Sequence, residues 1–119
     1  MSNNVFERMA QRYDSESRIE LAYIIVKKVR QALADSESST LLDYGSGTGL
    51  VGLQLVDLVR SVLLVDSSEQ MMAVAEAKIT HNNILNASVR VSDFTDETPD
   101  LKADIILVSL VLLHIPKRH

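Results

Sequence analysis

The stretch "LLDYGSGTGL", residues 41–50, constrains the fold more than any other part of the chain. Four residues too apolar and too short for an amphipathic helix run into glycines at 45, 47 and 49, which would end a helix in any case. The reading is a strand at Thr40–Tyr44 that breaks into a tight turn, followed by a helix-like apolar pattern from Leu50 to Val59. Glycine permits positive φ and removes the Cβ, so the backbone of such a turn can approach a ligand closely, and a helix starting near Leu50 would aim free N–H groups at it. A polar or anionic ligand group is expected there.

The same alternation continues downstream. Ser61–Val65 is a second buried strand ending at Asp66, Ser67–Thr80 a helix with Ser67 or Ser68 as N-cap, and Ala87–Ser92 a third strand ending at Asp93. Residues 94–103 form a polar loop, and Asp104–Leu110 a fourth strand whose unbroken Ile/Leu/Val content suggests burial on both faces. Upstream, Val5–Tyr13 and Ile19–Leu33 repeat apolar residues at helical spacing, hinged near Asp14-Ser15, with Ile19, Ala22, Ile25 or Val26, Val29 and Leu33 on one face. Strands alternating with helices imply an α/β chain with a parallel sheet. The 119 residues suit one domain, with N-terminal helices in 1–35 and the sheet core in 40–119.

Composition narrows the function. A formal net charge of −4 without a long Lys/Arg run argues against a surface that neutralises many phosphates, so no nucleic-acid partner is expected. The cluster Lys27-Lys28-Val29-Arg30 reads as a solvated helix face. The absence of cysteine excludes disulfides, thiolate metal sites and cysteine nucleophiles. The three histidines, His81, His114 and His119, are not at metal-ligand spacing. The longest apolar run, Ile105–Ile115, falls short of the ~20 residues that span a bilayer. No membrane partner is expected, and a polar N-terminus makes a cytoplasmic location the default.

The acids fall where an open parallel sheet places ligands, beyond the carboxyl ends of its strands. Asp66 follows Gly45 by 21 positions, close to the ~20-residue offset at which an acid accepts from ribose hydroxyls. Asp93 could accept from an exocyclic adenine amine, and Met71 could pack against a base. The dinucleotide pattern G-x-G-x-x-G needs glycine at position 50, which is Leu50, so a nicotinamide or flavin dinucleotide fits less well.

With "LLDYGSGTG", "LLVDSSEQMM", "VSDF" and "ADIILVSLVLLHI" in that order across roughly residues 40–115, the chain resembles the class I S-adenosylmethionine-dependent methyltransferases, in particular their small-molecule branch. The resemblance implies a Rossmann-like sheet in the order 3-2-1-4 flanked by helices, S-adenosylmethionine as cofactor and a small-molecule methyl acceptor. By the same resemblance the Gly45-Ser46-Gly47 turn would line the methionine part, with Asp43 orienting the glycine loop. Asp66 would hold the ribose, while Ser67 and Met71 border the adenine. Asp93 and Phe94 would read the adenine edge, Ser109 would lie near the cofactor, and Tyr13, in "MAQRYD", would close over it. No metal site and no catalytic base are expected. Methyl transfer from a sulfonium needs chiefly alignment of an already nucleophilic atom. The family fold has three further strands after the fourth. The chain therefore reads as the N-terminal part of a longer methyltransferase, or as one that completes its sheet by self-association through an exposed fourth strand. The alternatives are a non-catalytic module that holds S-adenosylmethionine or S-adenosylhomocysteine and, less well supported, a nicotinamide-dependent oxidoreductase.

Overall fold

The computed structural model describes residues 13–92 and 102–108. The helix expected over Val5–Tyr13 lies outside these residues except for Tyr13 itself.

Helix α1 spans Glu16–Ala32. Ser15 starts it: its Oγ accepts the backbone N–H of Arg18 at 3.3 Å, while Glu16 and Arg30 complement the positive first and negative last turns. Ala22 and Val26 are its buried face. Ile19, expected on that face, is 49% exposed, because the buried stripe starts one turn later. Lys27 and Lys28 are solvated, as expected, but Arg30 turns back. Its guanidinium donates to both carboxylate oxygens of Asp57 at 2.9 Å and to the Gln54 carbonyl at 3.0 Å, which raises the Arg30 pKa and lowers that of Asp57. The pair is solvated, so it orients the segment more than it stabilises it.

Strands β1 (Thr40–Tyr44), β2 (Ser61–Asp66), β3 (Ala87–Val91) and β4 (Ile105–Leu107) form one parallel sheet in the order β3-β2-β1-β4, as the family resemblance implies. The register aligns Leu41 with Val62 and Ile105, and Asp43 with Leu64 and Leu107. Because alternate residues of a strand face opposite sides, these residues share one face. That face holds the core, with Ala22, Val26, Val51, Leu55, Met72 and Ala75 packed over it. Leu42, Leu63 and Ile106 share the opposite face by the same register. Ile106 is 60% exposed and Ile105 and Leu107 are half-buried against the core, so the described part of the fourth strand is covered on one side rather than buried on both. Its register is pinned by Asp104, whose carboxylate accepts from the Thr40 N–H at 2.9 Å and the Thr40 hydroxyl at 3.2 Å.

Helix α2, Glu69–His81, is capped by Ser68 and not Ser67: Ser68 Oγ accepts from the Met71 N–H at 3.2 Å. Between β1 and β2 the expected helix over Leu50–Val59 is absent. A short 3-10 turn, Gly52–Leu55, stands there between irregular turns. The Gly52 N–H is drawn away from helical pairing to the Asp43 carboxylate, and the bonds Gln54 N–H to Val51 O and Leu58 N–H to Leu55 O are of the tighter type. The hydrophobic spacing is still used, since Val51, Leu55 and Val59 are buried, but the backbone that carries it is not α-helical.

Asn86 closes this irregular stretch. Its Nδ2 donates to the carbonyls of Val56, Val59 and Arg60 at 2.8, 3.4 and 3.3 Å, and its own carbonyl accepts from Val62. Asn86→Ala is expected to lower stability by about 2 kcal/mol, read by urea unfolding, because it strands partly buried carbonyls. A change below about 0.5 kcal/mol, the size of an ordinary surface substitution, would show that water replaces the amide.

Candidate functional site: the glycine turn and Asp66

The carboxyl ends of β1 and β2 build one edge. Gly45, Gly47 and Gly49 take φ values of 75°, 59° and 84°, which a residue with a Cβ adopts only at a cost. The turn is tied to the neighbouring strand: the N–H groups of Gly45 and Ser46 both donate to the Val65 carbonyl, at 2.7 and 2.9 Å. Ser46 is fully buried, and its hydroxyl donates to the Gly47 carbonyl at 3.3 Å.

Asp66 ties this turn to the next element. Its Oδ2 accepts from the Gly47 N–H at 2.8 Å and its Oδ1 from the Ser68 N–H at 2.9 Å, so one carboxylate joins the glycine turn to the start of α2. Each oxygen can accept again. Met71 lies at the same place, its Sδ 3.7 Å from where a Cβ on Gly47 would stand. Ser67 is exposed beside them. Ser92 N–H donates to the Asp66 carbonyl at 3.0 Å, which brings the end of β3 to this edge. Of the expected site residues, Asp43, Gly45, Ser46, Gly47, Asp66, Ser67 and Met71 cluster here; Asp93, Phe94 and Ser109 lie outside the described residues.

Asp43 sits beneath the turn, fully buried. Its Oδ2 accepts from the Gly52 N–H at 3.1 Å, and its Oδ1 has no hydrogen-bond partner among the described residues. Burial pushes its pKa up to about 7; the Gly52 N–H opposes the shift and the nearby Asp66 carboxylate adds to it. The side chain thus supports the loop from inside.

Sequence reasoning missed a second cluster behind the turn. Thr48 donates its hydroxyl to Asp14 Oδ1, and Lys78 Nζ donates to Asp14 Oδ2 at 2.7 Å and to Thr48 Oγ1 at 3.1 Å. Asp14 precedes the Ser15 cap and follows Tyr13, so this cluster holds the chain next to Tyr13 against the glycine turn. Asp14 and Lys78 are 64 positions apart and share no local pattern. The expected helix N-terminus at Leu50 is not part of the site, because no helix forms there. Among the described residues no set of three or more His, Asp or Glu side chains could hold a metal ion, and no helix is long and apolar enough to cross a membrane.

A Rossmann-like parallel sheet with a glycine turn and an acid at adjacent strand ends defines a nucleoside-binding class. Residues 35–119 match the family model described as a methyltransferase domain, and the chain belongs to that S-adenosylmethionine-dependent methyltransferase family. An uncharacterized methyltransferase of Staphylococcus carnosus is 28% identical over 116 residues, covering 93% of this chain and 53% of its own length. An uncharacterized RNA methyltransferase of Nanoarchaeum equitans is 31% identical over 84 residues, covering 71% of this chain and 18% of its own. The crystal structure of an S-adenosylmethionine-dependent methyltransferase from Aquifex aeolicus superimposes with a TM-score of 0.65 at 28% identity, over 85% of this chain and 54% of that one. The chain spans about half or less of the length of these proteins. A relative named for RNA removes charge as a ground for excluding a nucleic-acid acceptor.

The cofactor of this family is S-adenosylmethionine, and the edge fits it. The Cβ-free Gly47 leaves backbone open opposite Met71, and Asp66 keeps acceptor capacity for a pair of hydroxyls.

Proposed function

We propose that the chain binds S-adenosylmethionine along this edge and serves methyl transfer to a small-molecule acceptor. The observation that carries the reading is the Asp66 carboxylate, bridging Gly47 N–H and Ser68 N–H with free lone pairs at the strand end. In this reading Asp66 accepts from the ribose hydroxyls, Ser67 and Met71 border the adenine, and the Gly45-Ser46-Gly47 backbone lines the methionine part. Asp43 acts through Gly52 to hold the turn. Tyr13, carried beside Asp14, contacts the cofactor from the other side. The roles of Asp93 and Phe94 at the adenine edge, and of Ser109 near the cofactor, extend the proposal on sequence grounds.

Bound S-adenosylmethionine supplies an electrophilic methyl on a sulfonium; a nucleophilic acceptor atom takes it and S-adenosylhomocysteine leaves. The protein's share is alignment and exclusion of water, and no base is assigned. The Nanoarchaeum relative favours RNA as the second reading, and radiolabel transfer to RNA but not to a small-molecule extract would select it. Transfer to any acceptor would remove the non-catalytic alternative. Strand β4 pairs with β1 alone among the described residues, and self-association through its other edge belongs to this proposal; a monodisperse monomer in light scattering would refute it.

Calorimetric titration with S-adenosylmethionine and S-adenosylhomocysteine tests the site. Asp66→Ala is expected to weaken both about 100-fold, the order of magnitude for losing charge-assisted bonds to two hydroxyls together with the brace on Gly47. Equal binding by the variant, or tighter binding of NAD than of either ligand, would sink the assignment.

A further inference from the structure

Asp14, Thr48 and Lys78 come from the start of α1, the glycine turn and the last turn of α2, and their polar atoms meet at one point. The Asp14 and Lys78 side chains are 8% and 23% exposed, and Thr48 is 4% exposed. A buried ion pair is weak evidence for stability, since apolar residues of similar volume often serve as well; what it fixes is geometry. The geometry here is specific. Thr48 is the residue after Gly47, whose N–H is held by Asp66, so the turn is gripped by two carboxylates from different elements on either side of one peptide. Asp14 is bonded to Tyr13, whose Cα is therefore about 3.8 Å from its own. The Tyr13 carbonyl is held in turn by the Arg18 guanidinium at 3.2 Å.

We propose that Asp14, Thr48 and Lys78 form a latch that docks the Tyr13 segment onto the glycine turn, and that they are positioning residues for the cofactor site described above. The inference rests on that functional reading for its consequence, but not for its geometry. Lys78 is the keystone: without its ammonium, Asp14 stays buried opposite a hydroxyl alone. Without the Thr48 hydroxyl, the carboxylate and ammonium still pair, but they no longer hold the turn. Both changes free the turn and the Tyr13 segment together while leaving Asp66 and Met71 untouched.

The test uses the full chain with Thr48→Val, which keeps the side-chain volume, Lys78→Met and Lys78→Arg, and reads S-adenosylhomocysteine affinity beside amide hydrogen exchange. Thr48→Val and Lys78→Met are expected to weaken binding about tenfold. They are also expected to speed exchange of residues 13–19 and 46–49 together, with Lys78→Arg recovering both because its guanidinium can reach the same two acceptors. Wild-type affinity in Thr48→Val and Lys78→Met, or exchange of 13–19 that does not change with that of 46–49, would overturn the latch. If the wild-type chain binds no S-adenosylhomocysteine, the functional reading fails, and the exchange arm decides the docking: coupled acceleration upholds it, unchanged exchange refutes it.

Discussion

Raising the pH from 4 to 7 is expected to remove about 3 kcal/mol of the stability that Asp43 contributes. The carboxyl has a folded-state pKa of about 7 against an ordinary value of 3.8, chiefly because it is buried. In that window the folded chain holds a proton that the unfolded chain has released, so stability is fully present below the unfolded pKa and is lost as pH rises through the folded one. Oδ2 takes the Gly52 N–H, while Oδ1 meets no partner among the described residues, so ionisation would place a charge in the core with a single hydrogen bond to offset it. Urea unfolding of wild type and Asp43→Asn across this range measures the effect, since other titrating groups cancel in the difference. The amide does not titrate, so the wild type should lose stability relative to the Asp43→Asn variant as pH rises; parallel curves would mean that water or a neighbour relieves the buried charge.

The second large effect belongs to Gly52. A Cβ added there would stand 2.6 Å from Asp43 Oδ2 and 2.6 Å from Leu64 Cδ2. Asp43 and Leu64 are both fully buried and cannot swing into solvent. Gly52→Ala is therefore expected to cost about 3 kcal/mol, at the upper end of overpacking penalties, even though alanine favours helix. Denaturant unfolding reads the cost, and pairing it with Asp43→Ala separates the causes. If the clash is with the carboxylate, the double variant should lose less than the two single losses combined, because the smaller side chain vacates the space. Additive losses would place the strain on Leu64 instead, and a neutral Gly52→Ala would show that the 3-10 turn shifts freely.

These two residues also mark the limit of local sequence reasoning. The spacing of Val51, Leu55 and Val59 is helical and all three are buried, yet only Gly52–Leu55 forms a turn of helix, because the Gly52 N–H goes to a carboxyl nine residues back. Periodicity reports which residues face the core; it does not report where each N–H finds its acceptor. Ile19 shows the converse, an apolar residue in phase with α1 that stays half exposed among the described residues. Tyr13 joined the candidate site by resemblance alone, and the cluster beside it depends on Asp14 and Lys78, which local pattern cannot associate.

Residue pattern carries the alternation of strands and helices and the placing of the glycine turn and Asp66 at strand ends, while the strand order 3-2-1-4 comes from the resemblance to the methyltransferase family. The alternation and the turn follow from apolar period and the conformational freedom of glycine, which are local properties; the order of strands is a long-range one. The long-range contacts are visible in the folded chain alone: Asp66 bridges Gly47 to Ser68, Asp43 is buried with one oxygen unpaired among the described residues, and Thr48 is held by Asp14 and Lys78. The reason is physical: a buried polar atom must find a partner wherever the fold brings one, and in this chain the partners come from segments separated by up to 64 residues.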